Sequence, residues 1–230
     1  MAVKRGIIRM GGWSYRLTER DLLWAARMVQ GETLPGRAGR RDDALAVLWT
    51  MTSLFSPAGQ RAKYGGQRFG TFTDLIRAYS QPINPRWLAG GQFCRPGGRG
   101  HGRDECSPAR LAARERLQRT PWSGLDPELR EVVLRWAAGH TTNPVPTAIE
   151  FAAPFVVAGF LTRHPGAQLV ATIHNQFVAT ADSARWPALP SIELEETAAG
   201  VHPAGAALFA AALGGLLGWG IARRRRRDRR

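Results

Sequence analysis

The chain has 230 residues, 44% of them apolar, and a formal net charge of +14 from 32 basic and 18 acidic side chains. This composition excludes a disordered acidic chain and a collagen-like repeat, and two cysteines are too few for a small disulfide-rich protein. The length fits one medium-sized domain with an appended segment.

Helical patterns dominate the first two thirds of the chain. The segment TERD at residues 18–21 is typical of a capping box and predicts a first helix that ends at Gly31. A second helix is predicted over residues 42–54, with Asp42 and Asp43 as its capping residues. Three further helices, each opened by a capping residue, are predicted over residues 71–79, 107–118 and 126–138.

The pattern changes after residue 141, where short strands replace helices. Strands are predicted over residues 168–173 and 176–180, and residues 188–203 are predicted to be a linker. The sequence therefore predicts an α+β domain over residues 1–187 that is mainly helical, with a small β region.

The C-terminal segment combines an apolar stretch with a basic block. Residues 204–222 carry no charge and would span roughly 28 Å as a helix at about 1.5 Å per residue. Residues 223–230 follow with seven arginines and one aspartate. This order predicts a transmembrane helix with a cytoplasmic basic tail, which places the domain on the periplasmic side of an inner membrane. Gly214 and Gly218 have the spacing that would allow two such helices to self-associate.

Other interpretations of this segment stay open. Residues 204–222 are rich in alanine and glycine, as expected also for a buried helix or a flexible tail. The arginine block is compatible with a nucleic-acid arm, but its place directly after an apolar helix favours a membrane anchor. No specific nucleic acid is expected as a partner.

Glu32 is the main candidate for catalysis. It follows the end of the first predicted helix, with Met28 one turn and Trp24 two turns earlier. Apolar surroundings disfavour the charged carboxylate and raise its pKa, as a general acid near neutral pH requires. The alternative is a solvated surface group, which is the usual state of a glutamate near a helix end.

Four segments, taken in order, resemble the spore-cortex-lytic type of cell-wall hydrolases, including phage-encoded members. They are WAARMVQGETLPGRAGRRDDALAVLWTMTSLF at 24–55, AYSQPINPRW at 78–87, TAIEFAAP at 147–154 and IHNQFVAT at 173–180. The resemblance extends over residues 22–180. It implies a lysozyme-like fold that cleaves peptidoglycan glycan strands as a lytic transglycosylase or muramidase, with Glu32 in the place of the family's catalytic glutamate.

The chain also departs from the family pattern. The family's Asn-Arg pair, which follows the apolar run of the second helix, is absent, and Thr52 and Ser53 lie near its expected place. The family's later His-Tyr pair is replaced by Glu150 and Phe151. A second hypothesis is therefore a catalytically inactive relative with a structural or membrane-docking role in a virion or envelope assembly. The two hypotheses differ in whether Glu32 faces an open groove or forms a salt bridge with an arginine of residues 37–41.

Several further residues are candidates for the site. Glu150 is the candidate second carboxylate, since most glycosidases use two, and its alternative is a solvated loop acid. Gln81, Asn84, Tyr79 and Asn175 are candidates for substrate binding. Gln81 and Asn84 would otherwise form a proline-rich turn, and Tyr79 would otherwise belong to the core.

The two cysteines enclose a glycine-rich loop. A disulfide between Cys94 and Cys106 is favoured over free thiols, and zinc held with His101 and Asp104 is the third alternative. The spacing matches no standard zinc motif, so neither a metal nor a cofactor is expected. The predicted partners are bacterial peptidoglycan, the membrane and phage virion components, and the predicted location is the cell envelope or a phage virion.

Overall fold

The computed structural model describes residues 6–194, and the chain has an α+β fold. Within this range it forms seven α-helices and six short strands. The helices are α1 (Glu19–Glu32), α2 (Arg40–Phe55), α3 (Pro57–Tyr64), α4 (Phe72–Tyr79), α5 (Pro108–Arg119), α6 (Pro127–Ala137) and α7 (Pro154–Arg163). The strands are β1 (Gly6–Met10), β2 (Trp13–Arg16), β3 (Glu150–Ala152), β4 (Gln168–Thr172), β5 (Gln176–Ala179) and β6 (Ser191–Leu194).

Helix α2 lies at the centre of the core. Nearly every residue from Asp43 to Phe55 is buried, because α1, α4 and α6 pack around it. A helix that is buried on all sides needs no polar face, which explains its apolar sequence. Phe72 of α4 and Trp136 of α6 complete the aromatic part of this core, with ring centroids 5.5 Å apart.

The helix predictions are largely confirmed. Thr18 and Asp21 form the predicted capping box, in which each side chain accepts the backbone N–H of the other. Helix α1 continues one residue beyond its predicted end, so Glu32 is its last residue. Helices α3 and α7 were not predicted from the sequence. Helix α3 is short, and only Ser56 separates it from the end of α2. Helix α7 lies after residue 141, where short strands were expected to replace helices.

The predicted caps of α2 are wrong. The helix begins at Arg40, and its N-cap is Gly39, which has a positive φ of 75° and no capping side chain. Asp43 lies inside the first turn and is fully buried. Its carboxylate binds another part of the chain, described below.

The first sheet joins both ends of the described chain. Its strand order is β2-β1-β6, with both pairs antiparallel. Neither the β1–β2 hairpin nor β6 was predicted from the sequence. Strand β6 lies inside the predicted linker of residues 188–203, so that prediction is wrong for Ser191–Leu194. Ile192 pairs with Ile8 and is buried, whereas its neighbours Ser191 and Glu193 are exposed.

The second sheet contains the two predicted strands, β4 and β5, and a third strand, β3, that was not predicted. Its order is β3-β5-β4, and both pairs are antiparallel. Strands β4 and β5 are joined by a tight turn at residues 173–175. The Phe151 and Phe177 side chains pack together in this sheet, with ring centroids 6.0 Å apart.

A disulfide closes the glycine-rich loop before α5. Cys94 and Cys106 are bonded, which confirms the predicted pairing. The predicted transmembrane span at 204–222, with Gly214 and Gly218, and the basic tail at 223–230 lie outside the described residues. Among residues 6–194, no helix has the length and apolar character needed to cross a bilayer.

Candidate active site

Glu32 is placed by close packing at the end of α1. A Cβ atom on Gly31 would lie 2.4 Å from Cβ of Pro82, so only glycine allows this contact. The end of α1 therefore lies directly against the segment that follows α4. Thr33 closes the helix, since its N–H and hydroxyl groups both donate to the Val29 carbonyl, at 3.0 and 2.6 Å.

The Glu32 carboxyl group has the electrostatics of a general acid. Burial raises its pKa to about 7, and the negative charge of Asp43 acts in the same direction. The Ser80 hydroxyl donates a hydrogen bond to Oε1 of Glu32 at 2.7 Å, which favours the carboxylate and opposes part of this shift. The group is thus populated in both protonation states near neutral pH, as a residue that donates and then accepts a proton requires.

Glu32 opens onto a cleft of about 410 Å³. The cleft is bounded by the end of α1, the turn after α4 and one face of α5. Its lining residues are Gln30, Gly31, Glu32, Gln81, Pro82, Arg110, Ala113, Arg114 and Leu117. Glu32 therefore combines a partly buried carboxyl group with access to a ligand-sized space.

The alternative salt bridge with an arginine of residues 37–41 is not formed in the described part of the chain. Each of the three arginines there contacts another group. Arg40 pairs with Asp126 at 2.6 Å, Arg41 with Glu131 at 3.3 Å, and Nη1 of Arg37 lies 3.1 Å from Nδ1 of His174.

Tyr79 connects the second candidate carboxylate to the site. Its hydroxyl donates to Oε2 of Glu150 at 2.5 Å and accepts from the Phe151 N–H at 3.3 Å. Burial raises the pKa of Tyr79, and the negative charge of Glu32 raises it further, so the phenol stays protonated. Glu150 also forms an ion pair with Lys63, and its side chain is only 15% exposed. These contacts distinguish Glu150 from a solvated loop acid.

Asn175 is held in place by Asp43. The Asp43 carboxylate accepts the backbone N–H of Asn175 and its side-chain amide, both at 3.0 Å, and the N–H of His174 at 3.3 Å. Asn175 is 8% exposed. The turn between β4 and β5 is thus fixed to α2, and the charge of Asp43 also acts on Glu32.

Gln81 and Asn84 differ in their environments. Gln81 lines the cleft beside Glu32, as expected of a substrate-binding residue. Asn84 is 6% exposed, donates to the Ala78 carbonyl at 2.7 Å and accepts from the Arg86 N–H at 2.9 Å. These contacts favour the turn-forming role for Asn84.

Two residues of the site were missed from the sequence. Ser80 lies in the segment AYSQPINPRW, and its only available signal was its place directly after the predicted helix. Asp43 was assigned to capping because it stands near the start of a helix. Its actual partners lie 131 and 132 residues further along the chain.

The structure also bears on the zinc alternative. The disulfide removes both thiolates that would have joined His101 and Asp104 as ligands. Across residues 6–194, no three His, Cys, Asp or Glu side chains come together in a group able to hold a metal ion.

Comparisons with known proteins give no relative for this chain. No protein-family model matches it, and neither a curated protein nor a solved structure matches it.

Proposed function

We propose that the protein cleaves the glycan strands of peptidoglycan, with Glu32 as general acid and base. The observation that carries this proposal is the set of contacts among the four segments that resemble the cell-wall hydrolases. The first segment bonds to the second through Glu32 and Ser80, and to the fourth through Asp43 and Asn175. The second bonds to the third through Tyr79 and Glu150. The proposal includes a lysozyme-like fold for this domain.

Glu32 would first act as the acid. Its protonated carboxyl group donates a proton to the oxygen between N-acetylmuramic acid and N-acetylglucosamine as the bond from C1 to that oxygen breaks. The resulting carboxylate then removes a proton from the incoming nucleophile, which is either water or the 6-hydroxyl group of the muramic acid. In the second case the 6-oxygen bonds to C1 and closes an anhydro ring.

The environment of Glu150 argues against hydrolysis with a carboxylate nucleophile. A carboxylate that attacks C1 must have a free oxygen, whereas Glu150 is engaged by the Lys63 ammonium group and the Tyr79 hydroxyl. We assign Glu150 the role of orienting Tyr79 beside the site. One acid/base residue is sufficient for lytic transglycosylation, so we propose this reaction rather than a two-carboxylate hydrolysis.

The proposed setting is the bacterial envelope. The uncharged stretch at 204–222 and the arginine block at 223–230 would anchor the domain at the inner membrane on the periplasmic side. The alternative setting is a phage virion, in which the protein would open the cell wall.

Digestion of purified sacculi tests the proposal. Full-length wild type and the Glu32→Gln variant are incubated with sacculi, and the soluble products are analysed by mass spectrometry. We expect wild type to release anhydro-muropeptides and the variant to lose at least about a hundredfold in rate, since general acid catalysis contributes roughly 10²–10⁴-fold. Glu131→Gln, at an exposed position of α6 outside the cleft lining, is the matched control and should retain wild-type activity.

Three outcomes would change the proposal. Products with reducing ends would replace transglycosylation by hydrolysis. Equal activity of wild type and Glu32→Gln would remove Glu32 from the mechanism. A folded wild type that releases nothing from several wall chemistries would favour the structural, membrane-docking role.

A further inference from the structure

One face of α5 forms a wall of the cleft that contains Glu32. Arg110, Ala113, Arg114 and Leu117 all line the cleft, and their spacing places them on the same side of the helix. The wall thus presents two guanidinium groups and otherwise small or apolar side chains.

The cleft has an excess of positive charge. Among the described residues that line it, Glu32 is the only acid, and its raised pKa leaves it partly uncharged near neutral pH. The sugars of a peptidoglycan strand are neutral where each lactyl carboxyl group is bonded to a peptide. The peptides themselves offer anions to such a cleft, because each peptide ends in carboxylates.

The two arginines differ in what holds them. Arg114 is 7% exposed and donates to the carbonyl oxygens of Trp87, at 3.1 Å, and Glu105, at 2.5 Å. Its guanidinium group also lies over the Trp87 ring, 5.4 Å from the centroid. Arg114 therefore anchors the disulfide-closed loop to α5 and is committed to the fold.

Arg110 has a replaceable partner. Its Nε and Nη2 atoms donate to one oxygen of Asp104, at 2.8 and 2.7 Å, and the two side chains are 58% and 74% exposed. Exposed ion pairs of this kind contribute only about 0–1 kcal/mol, so a ligand carboxylate can take the place of Asp104 at small cost. The guanidinium fork suits a carboxylate because it can donate two parallel hydrogen bonds.

We propose that Arg110 binds a carboxylate of the peptide attached to the glycan strand, so that the protein prefers strands with free peptide carboxylates over strands whose peptide carboxylates are amidated. This inference rests on the proposed glycan-cleaving function. It makes Arg110 a specificity residue, separate from the proton transfer by Glu32.

Kinetics on two matched substrates test the inference. One is a set of glycan strands with their peptides, and the other is the same strands after the peptide carboxyl groups have been converted to amides. Removing the peptides instead would expose a lactyl carboxylate on every muramic acid. Both substrates are prepared free of phosphate-containing wall polymers, which excludes phosphate as the anion. Full-length wild type, Arg110→Gln and Arg116→Gln are compared, because Arg116 is exposed on α5 and lies outside the cleft lining.

We expect Arg110→Gln to raise KM for the strands with free peptide carboxylates about fivefold to tenfold, the effect of losing one charge-assisted hydrogen-bonded contact. Its KM for the amidated strands and its kcat should stay at the wild-type values, and Arg116→Gln should match wild type on both substrates. Arg110→Lys, which keeps the charge and loses the fork, should give an intermediate KM.

The results that would overturn this inference differ from those that would overturn the proposed function. If wild type cleaves both substrates equally well, or if Arg110→Gln raises KM equally for both, the inference is wrong while the proposed function stands. If wild type cleaves neither substrate, the proposed function is wrong and the inference falls with it.

Discussion

Burial of the Glu32 carboxyl group lowers the free energy of unfolding at neutral pH, because it disfavours the ionised form. A solvated glutamate would be ionised at neutral pH, whereas burial and the nearby Asp43 hold the pKa of Glu32 at about 7. The Ser80 hydroxyl limits this cost by donating to the carboxylate. Residues that serve proton transfer commonly have shifted pKa values of this kind, and their stabilising replacements are inactive.

The stability of a Glu32→Gln variant should reveal this cost through its pH dependence. Below pH 4.5 both folded and unfolded wild type are protonated at this position, and the penalty is absent. Between that pH and about 7 the unfolded chain ionises first, so wild-type stability falls as pH rises.

We expect Glu32→Gln to unfold with nearly the wild-type free energy at about pH 4. At about pH 8 it should be more stable by roughly 1–3 kcal/mol, a range reduced from the full shift because the side chain is partly exposed. Urea unfolding at the two pH values measures both quantities. An equal difference at both would contradict a raised pKa.

Asp43 should contribute to the upper pH limit of activity through its charge on Glu32, in addition to the larger effect of burial. Replacing Asp43 by asparagine removes a negative charge that raises the pKa of Glu32, so that pKa falls. The acid is then lost at lower pH, and the alkaline limb of the pH–rate profile should move towards acidic pH. Asp42→Asn is the matched control, because Asp42 is exposed while its neighbour is buried. An identical profile for both variants would remove Asp43 from the site's electrostatics.

At the scale of the elements, the end of α1 depends on a residue without a side chain. A Cβ on Gly31 would lie 2.4 Å from Cβ of Pro82 and 2.9 Å from Cδ2 of Leu117, so Gly31→Ala must push α1 away from this turn. Overpacking of this kind costs about 1–3 kcal/mol. The displacement also separates Glu32 from Ser80, so activity on sacculi should fall together with the unfolding free energy.

Gly66→Ala provides the comparison for Gly31→Ala. A Cβ on Gly66 meets nothing within 4 Å, so this variant should retain activity and stability. If Gly31→Ala is as active as Gly66→Ala, the contact with Pro82 does not position the acid.

The elements that the sequence predicts well are those with local signals. The capping side chains of Thr18 and Asp126 bond to backbone groups within one turn, and Pro108 begins α5 without a capping bond from Ser107. These local signals are why α1, α5 and α6 were predicted nearly in full. The role of Asp43 could not be predicted in this way. An aspartate near a helix start is a normal cap, and only the tertiary fold brings the β4–β5 turn to its carboxylate.

The same reasoning applies to the candidate site. Glu32 was identified from its place at a helix end together with the four-segment resemblance, and its apolar surroundings correctly predicted the direction of its pKa shift. The hydrogen bond between Tyr79 and Glu150 was not predicted, because the two residues lie 71 residues apart in the chain. Spacing along a sequence does not report such pairings.

At the scale of the whole molecule, the first sheet joins the two ends of the described chain. Strand β1 lies between β2, its hairpin partner, and β6, which arrives 184 residues later in the Arg9–Glu193 pair. Gly139, two residues beyond the end of α6, packs against β6, since a Cβ on Gly139 would lie 2.4 Å from the Ile192 carbonyl oxygen. A four-residue strand of this kind has too little periodicity to be separated from a linker by sequence alone.

The stability of the full-length chain should therefore depend on Ile192. Ile192→Ala removes a side chain that is 7% exposed and packs into the main core, and we expect a loss of about 2–4 kcal/mol in the free energy of unfolding. Leu189→Ala, at a side chain that is 46% exposed, should change it by no more than about 0.5 kcal/mol. Urea unfolding of wild type and of both variants measures these changes in the free energy of unfolding. If residues 188–203 acted as a linker throughout, both substitutions would be neutral, and the closure of the first sheet by β6 would be wrong.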